Sequence, residues 1–105
     1  MSYKLRFVQS FKHENEKEFS ALEKQFAEFE KKNPDAPKGK RYIPCAGRDA
    51  SNTLIWECDF ATLEEAHKAQ AFFLNDQEHE DLFQKQAQYI IGTYTEIYRP
   101  FDLKH

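Results

Sequence analysis

The side chains able to do chemistry here are four histidines, two cysteines, one tryptophan and a set of tyrosines and carboxylates scattered over 105 residues. His13, His67, His79 and His105 show neither H-x-x-H nor H-E-x-x-H spacing, and Cys45 and Cys58 lack a C-x-x-C partner. The pattern therefore predicts no metal site. His67 sits beside Ala66 and Gln70 on an expected helix, from which it can reach a pocket between helix and sheet and serve as acid or base near neutral pH. The plainer alternative is a surface histidine, and the same two readings hold for His79. Trp56, between Leu54 and Cys58 on an expected strand, either fills a core or walls an aromatic pocket. Glu57 points to the opposite face, where a carboxylate needs a cation from Arg6, Arg41, Arg48 or Arg99, or else acts as a base raised by burial. The phenols of Tyr42, Tyr94 and Tyr98 can position an oxygenated aromatic ligand or simply pack. No nucleophile and base are joined by local spacing.

These residues need elements to hold them. Tyr3–Lys12 alternates with period two and reads as a first strand. Asn15 and Glu18 have capping-box spacing and open a helix in which Phe19, Leu22, Phe26 and Phe29 form one apolar stripe. Pro34 stops it near Lys32. Arg41–Arg48 reads as a second strand, and its Pro44, with no N–H for a ladder, predicts a sheet edge or a bulge. A polar turn over 47–52 joins it to a third strand carrying Leu54, Trp56, Cys58 and Phe60. Thr62 and Glu65 open a second helix whose buried side carries Leu63, Ala66, Gln70 and Phe73. Asn75 and Glu78 repeat the spacing, predicting a break and a third helical piece with Leu82, Phe83 and Gln86 inward. Tyr89–Arg99 closes the order as a fourth strand.

This β-α-β-β-α-β order predicts a single α+β domain over 1–105, a ferredoxin-like four-stranded antiparallel sheet with its helices on one face. Strand one has apolar groups on both parities, Leu5 and Phe7 against Val8, and so does strand four, Ile91 and Ile97 against Ile90, Tyr94 and Tyr98. A sheet apolar on both sides calls for a second layer, so a homodimer packed sheet to sheet is expected. Ten Phe and five Tyr in a chain that is 40% hydrophobic exclude a disordered polymer. A net charge of −3 with interleaved signs provides no basic stripe for nucleic acid. Apolar runs of only a few residues exclude a membrane span. With no signal-peptide pattern, a cytoplasmic location with reduced thiols is expected.

The stretches Leu54-Ile55-Trp56-Glu57 with Phe60, Leu63-Glu64-Glu65-Ala66, and Phe73-Leu74-Asn75-Asp76-Gln77-Glu78-His79 resemble the dimeric α+β barrel superfamily, in particular its antibiotic-biosynthesis monooxygenase-like and NIPSNAP-like domains. The resemblance implies a small-molecule dimer, and its members include cofactor-free oxygenases acting on polycyclic aromatics, haem-degrading enzymes and small decarboxylating or cyclising enzymes. Haem-degrading members carry a helix Trp, a His about ten residues later and an Asn on the first strand. Here those positions read Phe73, Phe83 and Gln9, so no haem or other cofactor is expected. The expected site comprises Trp56, Phe73, Tyr94 and Arg48 around a hydrophobic or aromatic ligand, with His67 as the catalytic candidate. The alternatives are a non-catalytic ligand-binding dimer and a structural dimer. A void of roughly 300 Å³ between sheet and helices favours a ligand, and a filled core favours the structural dimer.

Overall fold

The computed structural model describes residues 2–103; His105 lies outside them. Its order is β1 (Tyr3–Phe11), a 3₁₀ turn (His13–Asn15), α1 (Glu16–Lys32), β2 (Lys40–Tyr42), β3 (Thr53–Phe60), α2 (Leu63–Asn75), α3 (Gln77–Ala87) and β4 (Ile90–Tyr98). The strands lie β2-β3-β1-β4, all antiparallel. This is the expected ferredoxin-like α+β sheet, with Trp56 on an interior strand.

Register divides the side chains between two faces. Leu5 pairs with Cys58 and Ile97, and Phe7 with Trp56 and Thr95. Together with Phe11 and Leu54 these face the helices. Phe26 and Phe29 of α1, Ala69 and Phe73 of α2 and Leu82 of α3 close over Leu5 and Trp56, while Phe19 stacks on Phe11 at 4.5 Å. Buried apolar area of this kind is the main favourable contribution to folding.

The other face differs from expectation. Val8 and Ile55 are 1% and 9% exposed without any partner chain, and loop residues Ile43, Pro44 and Ala46 to Asp49 share a hollow with Ile55 and Tyr94 on this face. Tyr94 Oη donates to Asp49 Oδ2 at 2.9 Å and pins that loop. The rest of the face is an ion-pair lattice. Arg6 stands in register between Glu57 and Glu96 and binds them at 2.9 and 2.8 Å, and Lys4 reaches Glu57 and Asp59. Glu57 thus finds its cation within its own chain. Arg6 also donates to Tyr98 Oη at 2.8 Å.

Three local expectations need correcting. The second strand ends at Tyr42 and not at Arg48, because Pro44 supplies no N–H to continue a ladder; Cys45 consequently lies exposed in the loop. Asn15 stands at the start of α1 without capping through its oxygen; its amide donates to Glu18 instead. The start of α3 is capped by Asp76, whose Oδ2 accepts from His79 N, while Asn75 is the last residue of α2. Thr62 caps α2 as expected, accepting from Glu65 N. No helix among the described residues is long and apolar enough to cross a membrane.

Candidate functional site

The inward stripe of α1 is not purely apolar. Glu23 and Glu30 fall on the line of Phe19 and Phe26, so the periodicity that buries the phenylalanines carries two carboxylates inward with them. Arg41 comes to meet them from β2. It pairs opposite Trp56, which sends its guanidinium to the helix side of the sheet. Arg41 Nε donates to Glu23 Oε2 at 2.6 Å, and its two terminal nitrogens grip Glu30 at 2.5 and 3.3 Å. Glu30 Oε1 also accepts from Trp56 Nε1 at 3.2 Å and Gly39 N at 3.4 Å. Burial alone would lower the Arg41 pKa, but its bonds to Glu30 and the charge of Glu23 outweigh that and leave it raised.

Gln86 enters from α3, fully buried. Its Nε2 donates to Glu23 Oε1 at 3.0 Å and Phe19 O at 3.4 Å, while Oε1 has no partner among the described residues. Flipping the amide would set its oxygen against two acceptors, so the orientation is dictated by its neighbours.

These groups line a cavity of about 40 Å³ walled by Phe7, Phe26, Trp56, Phe73 and Phe83. His79 completes it, its ring 4.9 Å from both Phe26 and Phe73. Burial among these rings lowers the His79 pKa, against smaller opposing pulls from Asp76, Glu30 and Glu80. Near pH 7 it is therefore a neutral imidazole, a proton acceptor in an apolar setting. Beside the cavity, between α1 and β2, runs an outer groove of about 350 Å³ lined by Phe11, Phe19, Ala27, Ile43 and Leu54. Glu23 and Arg41 belong to both hollows.

The residues expected to form one pocket are divided by the sheet. Trp56 and Phe73 line the inner cavity, with their rings at 5.4 Å and nearly perpendicular. Tyr94 and Arg48 line a different hollow of about 390 Å³, on the opposite face under the β2–β3 loop. There burial and the bond to Asp49 raise the Tyr94 pKa. His67 is exposed on α2 and lines neither hollow. Glu23 and Glu30 were not anticipated; Gln86 was expected inward but not as part of a site, and Arg41, one of the cations considered for Glu57, pairs with Glu23 and Glu30 instead. The signal for the first two was acidic residues recurring on an apolar stripe.

No family model and no curated protein matches this chain. Solved structures do. A NIPSNAP family protein from Agrobacterium tumefaciens superposes with a TM-score of 0.74 at 12% identity, covering 98% of this chain and 89% of its own. An uncharacterised NIPSNAP domain protein from Burkholderia xenovorans gives 0.74 at 9% identity, covering 98% and 97%. An antibiotic biosynthesis monooxygenase gives 0.72 at 8% identity, covering 95% and 99%. At these identities the likeness is one of backbone, and the protein carries a ferredoxin-like α+β fold similar to that of these NIPSNAP and antibiotic biosynthesis monooxygenase structures.

Proposed function

We propose that this protein binds a small hydrophobic or aromatic molecule on the helix side of its sheet, as a homodimer joined through the opposite sheet faces. The observation that carries this reading is the convergence of Glu23, Glu30, Arg41 and Gln86 on an aromatic-walled cavity with one acceptor left unpaired. A core built only for stability gains little from buried ion pairs, since desolvation offsets their attraction. A binding site does need a few placed polar groups among apolar walls. In an enzymatic form the chemistry would resemble a cofactor-independent monooxygenase. Neutral His79, rather than exposed His67, would then be the base that takes a proton from the bound substrate.

A second reading, a non-catalytic structural dimer, is favoured by one number. The cavity of about 40 Å³ is far below the ~300 Å³ of a typical ligand site.

Titration with N-phenyl-1-naphthylamine, a neutral aromatic dye that accepts energy from tryptophan, separates the two. Trp56 is the only tryptophan and lies in the cavity wall. Saturable loss of its emission, with one dye per chain, is expected. Absence of saturable transfer up to the solubility limit of the dye would leave the structural dimer.

A further inference from the structure

Gln86 Oε1 is a buried acceptor with no donor among the described residues, and the charges around it restrict what can arrive. Glu23 and Glu30 together carry two negative charges against the single positive charge of Arg41, and burial keeps His79 neutral. An incoming carboxylate would add a third negative charge at low dielectric, which is costly. A neutral hydroxyl adds none, and its O–H is what a lone amide oxygen lacks.

Room is the second consideration. The inner cavity holds little more than a water molecule. The outer groove is large enough for a ring system and apolar along Phe11, Phe19, Ala27, Ile43 and Leu54. What stands between them is the Glu23–Arg41 contact, whose arginine is held by Glu30 even when Glu23 lets go. Gln86 binds the same Glu23, so a rotation of that one carboxylate opens the passage and frees the Gln86 amide together.

Resting on the small-molecule reading above, we propose that the two hollows form one bipartite site for a neutral, hydroxyl-bearing hydrophobic molecule such as a phenol. The hydroxyl donates to Gln86 Oε1, the apolar body lies in the groove between α1 and β2, and Glu23 is the gate. Both ends of the ligand are thereby specified: a donor without charge, then a flat or aliphatic body.

Calorimetric titration of the full chain with three probes of one shape tests this: 2-naphthol, 2-methoxynaphthalene and 2-naphthoate. The expected order is 2-naphthol about tenfold tighter than 2-methoxynaphthalene, which lacks the donor, and 2-naphthoate weakest. Gln86→Leu should abolish the preference for 2-naphthol over its methyl ether. Should that variant fail to fold, Ala27→Trp, which fills the groove beside Glu23, should still weaken 2-naphthol at least tenfold. Equal affinities for the naphthol and its ether would overturn the proposal while leaving a small-molecule site standing, as would preference for the naphthoate. So would unchanged 2-naphthol binding by Ala27→Trp, and an ordered water as the sole partner of Gln86 would leave the naphthol and its ether equal. If none of the three probes binds, the small-molecule reading itself falls.

Discussion

Glu30 is the residue on which the interior depends. Its carboxylate accepts from an arginine, an indole and a backbone amide while only 6% exposed. Glu30→Ala would leave Arg41 with Glu23 alone and strip the Trp56 indole of its acceptor, so a loss of roughly 1–3 kcal/mol in urea unfolding is expected. Glu30→Gln, which keeps an acceptor for Trp56, should cost less. His79 supplies a pH signature. Burial holds its folded pKa below the ordinary 6.5, with Asp76, Glu30 and Glu80 pulling weakly the other way and Phe26, Phe29 and Phe73 packed around it. Between the two values the unfolded chain binds a proton that the folded chain refuses, so stability falls as pH drops through about 6.5. A thermal midpoint that declines less between pH 7 and pH 5 in His79→Gln than in the parent would agree. Equal declines would not. Spacing alone could not choose between His67 and His79. One residue of helix turns a side chain about 100°, so lying beside Ala66 sends His67 to solvent.

Elements were more legible than residues. The period-two and period-three-to-four patterns located β1, β3, β4 and the three α-helices, whereas β2, which buries no apolar side chain, overlaps its expected span by two residues only. They erred where local chemistry competes: Pro44 cut β2 to three residues, and Asp76 displaced Asn75 as cap. The polar site escaped notice for a tertiary reason. A glutamate on an apolar stripe is inconspicuous until a strand 11 residues further on brings an arginine opposite it. The loop between α1 and β2 adds a constraint of its own. A β-carbon at Gly39 would overlap the Trp56 indole, so the backbone itself forms part of the wall. Gly39→Ala should therefore destabilise by about 1–3 kcal/mol and shift Trp56 emission, since a close-packed core accommodates added volume poorly. A fully stable variant with unaltered emission would show that the indole moves aside freely.

At the scale of the whole molecule, the two sheet faces do different work. The helix face encloses the polar cavity. The other carries the Arg6 lattice, a loop tied to Tyr94 through Asp49, and exposed Tyr42 and Tyr98. The proposed homodimer uses that second face, with the tyrosines as contacts between balanced charges. Sedimentation equilibrium at micromolar concentration should give twice the chain mass, and Tyr98→Glu, which sets a like charge beside Glu96, should shift it toward one chain. A parent that sediments as a single subunit would remove the dimer and leave the cavity untouched. The cavity is tested most directly by a crystal structure of the protein with 2-naphthol. The hydroxyl oxygen is expected within hydrogen-bonding distance of Gln86 Oε1, the rings between α1 and β2, and Glu23 turned away from Arg41. Naphthol found instead beside Tyr94 and Arg48, with the inner cavity still closed, would contradict it.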